Sequence, residues 1–278
     1  MASRGMGVQG MAADGRVDIH QGNGWARRMR EVAATPLVAV GFLTVLPLPQ
    51  PRVAEGAMGW AVACFPLVGA ALGALLAAEG GLLELWLPSP VVAALLLATL
   101  LATTGALHLD GLMDSFDGLF GGRDPESRLA IMRDSRVGSY GIAAAASILL
   151  VEYGCLVSLP AGWRLQALAT TVALSRWAMV AILWGFPAAS ARGMAAGLKP
   201  YLRWVQAAVA TVLAFGIALL FFGWLGGAME AAALGVLLLG GRVVAGRLGG
   251  INGDTCGGIG QLVEVAMLLL CVGVAGVR

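Results

Sequence analysis

Three aspartates, Asp110, Asp114 and Asp117, recur at i, i+4 and i+7 within HLDGLMDSFDG. On an α-helix that spacing places all three carboxylates on one face. Like charges so close repel unless a cation sits among them, and hard oxygen donors of this kind suit Mg²⁺, or Mn²⁺, bridging to substrate phosphates. A solvated acidic face on a loop helix is the plainer reading. Leu109, Leu112 and Met113 between the acids, beside a long apolar run, argue against it.

Downstream, RLAIMRDSRVGSYG supplies Arg128, Arg133, Asp134, Ser135 and Arg136. The planar fork of arginine matches phosphate oxygens two at a time. Carboxylates for a metal and arginines for phosphate together equip a phosphoryl or nucleotidyl transferase. A basic anchor at a membrane surface would explain the arginines alone, but not acids interleaved with them. A second polar stretch, GGINGDTCGGIGQLVE from Gly249 to Glu264, opens the last apolar run. Its glycines permit close backbone approach, and Asp254 and Thr255 offer oxygen ligands or a helix cap. It follows no strand and has no P-loop lysine, so neither dinucleotide nor P-loop fingerprint applies.

The elements that must position these residues are apolar. The chain has 278 residues, 59% hydrophobic and only 12% charged, with a mean hydropathy of +0.83. Soluble domains run near 25% charged, so the fold expected is all-α, a polytopic membrane helix bundle. A net charge of +2 offers no basic stripe for nucleic acid. The four cysteines lack CxxC spacing and read as small core residues. Seven apolar runs approach the roughly 20 residues a bilayer core requires: about 58–78, 88–107, 140–159, 165–185, 205–224, 228–245 and 260–277. Ahead of them, Thr35 to Pro51 is too short and too rich in proline to span, and is expected to be interfacial or re-entrant. Residues 1–30 are polar and glycine-rich, a flexible cytoplasmic tail, with 31–278 one integral membrane catalytic domain.

Loop arginines set the orientation. With the N-terminus inside, the inner loops carry Arg123, Arg128, Arg133, Arg136, Arg192, Lys199, Arg203 and Arg247, against Arg164 and Arg278 outside. The aspartate stretch is then the largest internal cytoplasmic loop, emerging from the second run. Two charges fall near the middle of runs, Glu152 and Arg176, each costing at least roughly 2.5–3.5 kcal/mol in mid-bilayer unless paired or hydrated. They are expected to pair with each other, or Arg176 with Ser175 to line a polar cavity below the site.

HLDGLMDSFDG, then IMRDSRVGSYG, then GDT at Gly253–Thr255, in that order, closely resemble the cobalamin synthase family, the adenosylcobinamide-GDP ribazoletransferases. The likeness runs from about Phe42 to the C-terminus. It implies a membrane enzyme that joins adenosylcobinamide-GDP to α-ribazole, or to α-ribazole 5′-phosphate, and releases GMP with Mg²⁺. The family pattern matches Asp110, Asp114, Asp117, Arg133, Asp134, Ser135, Arg136, Ser175, Arg176, Gly253, Asp254 and Thr255. The expected roles are metal ligands at Asp110, Asp114 and Asp117, and phosphate contacts at Arg133, Ser135, Arg136, Ser175, Arg176, Gly253 and Thr255. In-line attack would come from the ribazole 5′-oxygen, with Asp134, Asp254 or His108 accepting its proton. The chain departs from the pattern at Val45, where the family commonly has arginine, and at Gln261, where it commonly has an acid. Two other classes fit less well: a CDP-alcohol phosphatidyltransferase lacks the RDSRVGSYG and GDT stretches, and a transporter would set its charges along a mid-membrane path. A homo-oligomer is left open.

Overall fold

The computed structural model describes residues 24–49, 51 and 54–277, so residues 1–23 of the tail expected over 1–30 lie outside the described residues, and its last part, from Gly24, is the start of α1. Twelve α-helices are described: α1 Gly24–Leu43, α2 Glu55–Ala63, α3 Phe65–Leu83, α4 Ser89–Thr104, α5 Leu107–Gly121, α6 Pro125–Ile131, α7 Ser139–Ser158, α8 Arg164–Gly185, α9 Met194–Leu198, α10 Trp204–Phe222, α11 Trp224–Leu248 and α12 Gly253–Val277. No β-strand occurs among the described residues; Ala188 and Ile251 form a single isolated bridge.

Six stretches are long and apolar enough to cross a membrane: Gly56–Leu83 (α2 and α3), Ser139–Ser158, Ala161–Gly185, Trp204–Phe222, Trp224–Leu248 and Gly253–Gly276. The run expected over 88–107 behaves differently. Its helix, α4, stops at Thr104, and α5 leaves at 86° to it. Gly105 (φ 60°) and Ala106 (φ 54°) make the break in left-handed backbone. Ala106 N–H reaches back to Leu101 O and Gly105 N–H to Ala102 O, the bonds that close a helix C-terminus. Left-handed backbone at an alanine costs about 1–2 kcal/mol, so packing holds this corner. Val45 N–H donates to Thr103 O, and a Cβ on Gly105 would sit 2.6 Å from Val45 Cγ1. The segment expected to be interfacial is thus helical to Leu43, within α1, and has no regular secondary structure over 44–49, where Val45 meets the α4–α5 corner.

α8 is the hub: 89% of its apolar window is buried. Gly69 and Gly73, one turn apart on α3, admit its backbone; a Cβ there would lie 2.5 Å from Val172 O and 2.2 Å from Leu168 O. Small residues at a helix crossing do the same work in membranes generally. On its other side α8 meets α12. Arg164 pairs with Glu84, joining the α3–α4 and α7–α8 turns at one end of the bundle. At the opposite end, Arg128 Nη1 donates to Arg247 O at 2.9 Å, and Ala189 N–H to Ile251 O at 2.8 Å. Those bonds gather the α5–α7 loop, the α8–α9 loop and the α11–α12 turn at a single end, the one that holds the arginine-rich loops.

The buried charges pair otherwise than expected. Arg176, 1% exposed, bonds Glu264 of α12 at 2.8 Å and Ser175 Oγ at 2.7 Å. Glu152 instead accepts from Gln261 at 2.5 Å. α12 begins at Gly253, so Gln261 and Glu264 lie two to three turns inside it, where a charge needs a partner.

Candidate active site

α5 lies across the arginine-rich end of the bundle, and α12 begins beneath it. Gly111 makes this possible: a Cβ there would meet Asp254 O at 2.6 Å. A Cβ at Gly258 would lie 3.1 Å from Leu112 Cα. The apolar side of α5, through Leu109 and Leu112, is buried. Asp110 is exposed and Asp114 half-buried on the adjoining face. The close approach brings Asp254 to these acids. Burial, and then the charges of Asp110, Asp254 and Asp117, push the Asp114 carboxyl up to about 6. Asp254 is fixed by Asn252 Nδ2 at 2.9 Å, and Asn252 and Thr255 cap α12 reciprocally, Thr255 N–H to Asn252 Oδ1 and Asn252 N–H to Thr255 Oγ1, both at 2.9 Å. Asn252 was not singled out in the sequence, although Asn followed three residues later by Thr is a cap signature.

Asp117 has a different task from its neighbours. It is buried, and its Oδ2 and Oδ1 accept from Gly138 N–H and Gly141 N–H, each at 2.8 Å. A carboxylate on these amides caps the N-terminus of α7 and complements its dipole. The glycines are needed, since a Cβ at Gly138 would lie 2.3 Å from Asp117 Oδ1. Asp117→Ala is expected to cost about 1–2 kcal/mol, the usual price of a lost cap, read as a lower unfolding midpoint in detergent.

The residues after α6 divide. Arg133 and Ser135 are exposed. Arg136 clasps Asp134, with Nη2 to Oδ2 at 2.6 Å and Nε to Oδ1 at 3.1 Å, which holds the Asp134 carboxyl down at about 2. A general base works best near the operating pH, so this pairing speaks against Asp134 in that role. Arg128 spends its guanidinium on Gly122 O and Arg247 O. His108 is 2% exposed with Nε2 unpartnered; burial, and then the Arg176 charge, drive its pKa well down and keep it neutral. Ser175 and Arg176 lie deeper and bond one another, Gly260 O and Glu264, with Arg176 Nε left unpartnered. Thr255 is likewise spent on its cap. The structure therefore brings together Asp110, Asp114, Asp254, Gly253 and Arg133 at the surface, and leaves His108, Ser175 and Arg176 below it.

A cleft of 230 Å³ runs from Arg133 across Asn252, Gly253 and Asp254 to Arg192. A more open one of 370 Å³ lies on the other side of the 131–138 loop, between Asp134, Arg136 and Tyr140. The carboxylates supply the hard oxygens Mg²⁺ prefers and stand close enough to repel. Among the described residues no three His, Cys, Asp or Glu side chains close on one coordination point. That arrangement suits an ion which keeps waters and takes further oxygens from substrate phosphates.

An all-helical bundle with long apolar helices, and with acids and arginines gathered at one end, is the architecture of an integral membrane protein with a site for phosphorylated substrates. More particularly, the chain belongs to the cobalamin-5-phosphate synthase family, whose model matches residues 35–272. It is similar to the adenosylcobinamide-GDP ribazoletransferases of Desulforamulus reducens (33% identical over 233 residues, 84% of this chain and 94% of that one), Desulfitobacterium hafniense (38% over 250 residues, 84% and 94%) and Deinococcus radiodurans (39% over 252 residues, 89% and 87%). No solved structure matches it.

Proposed function

We propose that this protein joins adenosylcobinamide-GDP to α-ribazole 5′-phosphate, or to α-ribazole, releasing GMP, at the cytoplasmic face of a bacterial inner membrane. The convergence of Asp110, Asp114 and Asp254 beside Arg133 carries the reading. Asp110 and Asp114 would hold Mg²⁺, which when bound neutralises charge on the donor diphosphate. Asp117, committed to the α7 cap, supports these residues from behind. Arg133 lines the cleft onto which Asp254 opens and offers its guanidinium to substrate phosphate oxygens there.

The bond that forms joins a ribazole hydroxyl oxygen to the corrinoid-side phosphorus, and the bond that breaks is the bridge from that phosphorus to GMP. A 5′-oxygen cannot attack when it already bears phosphate, and the family's description names a cobalamin 5-phosphate product. A ribose ring hydroxyl is therefore the nucleophile, in place of the 5′-oxygen expected at first. Its proton goes to Asp254, which opens onto the cleft, whereas Asp134 is clasped by Arg136 and His108 is buried. The arginine-rich loops share this end of the bundle, and a preponderance of basic residues on the inner side supports a cytoplasmic site.

Purified protein in detergent, given adenosylcobinamide-GDP with either acceptor, is expected to form GMP and coupled corrinoid with Mg²⁺ and none with EDTA, followed by chromatography. Product that persists in EDTA would remove the metal. No product with either acceptor, in folded protein, would remove the activity.

A further inference from the structure

The α8–α9 loop, residues 186–193, contributes one wall of the 230 Å³ cleft and is built to stay there. Ala189 N–H donates to Ile251 O and Ile251 N–H to Pro187 O, both at 2.8 Å. Gly250 allows the two segments to touch, because a Cβ there would lie 2.5 Å from Pro187 O. Lys199 Nζ ties the loop's start down through Leu183 O (2.7 Å) and Phe186 O (2.5 Å). This scaffold presents Arg192 to the cleft opposite Arg133.

The charges in the cleft are unbalanced. Among the described residues neither the Arg133 nor the Arg192 guanidinium has an ion pair or hydrogen bond, whereas Arg136, on the other side of the 131–138 loop, is neutralised by Asp134. The acid in this cleft, Asp254, is held by Asn252 and faces the Asp110–Asp114 cluster. Two free guanidiniums suit a group with two negative charges and several oxygens, a terminal phosphate monoester. The donor's diphosphate is esterified at both ends and carries one charge per phosphorus. Among the two reactants, only a phosphorylated acceptor brings a terminal phosphate. Asp254 is common to the cleft and the acid cluster, so a phosphate seated here lies next to the reaction centre.

We propose that Arg192, with Arg133, seats the untransferred 5′-phosphate of the acceptor and makes the enzyme prefer α-ribazole 5′-phosphate to α-ribazole. The assignment rests on the function proposed above and adds to it a residue that selects the substrate. Selection comes from binding energy spent on a group remote from the reacting atoms.

The test compares kcat/KM for the two acceptors in wild type, Arg192→Gln and Arg192→Lys. Wild type should favour the phosphorylated acceptor. Arg192→Gln should lower kcat/KM for that acceptor about 10- to 100-fold more than for α-ribazole, the loss typical of one hydrogen-bonded charge contact. Arg192→Lys should keep part of the preference, and inorganic phosphate should compete with the phosphorylated acceptor in wild type and less so in Arg192→Gln. Equal losses with both acceptors would assign Arg192 to the donor or to folding and overturn the proposal, as would a wild type indifferent to the phosphate or an unchanged preference in Arg192→Gln. Wild type that couples neither acceptor overturns the function itself, a separate result.

Discussion

Asp114→Asn is expected to lower kcat on the order of 10³-fold, the scale on which a single preorganised charge in phosphoryl or acyl transfer is felt, while leaving the protein as stable as wild type or more so. Asparagine keeps the shape and removes the charge. Asp114 is surrounded by Asp110, Asp117 and Asp254 and half removed from water, and its carboxyl is pushed up to about 6 from an ordinary 3.8. A folded-state pKa above the unfolded one contributes stability that is present below about 4 and is lost as pH rises through about 6. At pH 7 the ionised Asp114 therefore works against the metal-free fold. In EDTA the midpoint gap between Asp114→Asn and wild type should open in the variant's favour between pH 4 and 7, and added Mg²⁺ should close it by stabilising wild type alone. Activity near wild type in the variant would sink the metal assignment; a large loss of stability would mean Asp114 is structural.

The sequence revealed the ingredients of this site but not their division of labour. Spacing at i, i+4 and i+7 correctly put three aspartates on one helix. It could not tell that Asp117, one turn further, faces the start of α7, because that depends on where Gly138 and Gly141 return in space. The apolar runs located six spans with ends within seven residues of those observed, since burial in lipid demands them. Over 88–107 composition stays apolar through Gly105 and Ala106 while the backbone turns left-handed there, so the helix bends by 86° and makes a seventh span only together with α5. The second polar stretch was legible as a glycine-rich approach, and the structure gives the reason: Gly258 meets α5. Arg192 passed as one more basic loop residue, because only the bridge between Ala188 and Ile251 brings its loop to Asp254. Arg176 and Ser175 carried the family's motif and so were expected at the phosphate. Their burial shows them holding the floor on which the site stands.

Arg176→Leu tests that floor and should be the most damaging single change to stability. Removing one partner of a buried pair leaves the other uncompensated, at about 3–5 kcal/mol, and Glu264 is 2% exposed in the middle of a helix bundle. The expected result is little folded protein recovered from membranes and a much lower unfolding midpoint for what is recovered. Replacing a whole buried pair with apolar residues is often neutral or stabilising, so Arg176→Leu combined with Glu264→Leu should regain most of the midpoint. Activity in the double variant then separates two roles. Ser175 Oγ donates to Gly260 O, and the next residue, Arg176, pairs with Glu264 one turn further along α12, so together they fix the register of α12 against α8. Register decides where Gly258 meets α5 and where Asp254 faces Asp114. Restored stability with activity still lost would mean that the pair positions Asp254, whereas full recovery of both would leave it a stabilising contact only. Arg176→Leu as stable as wild type would remove the pair from the account of the fold.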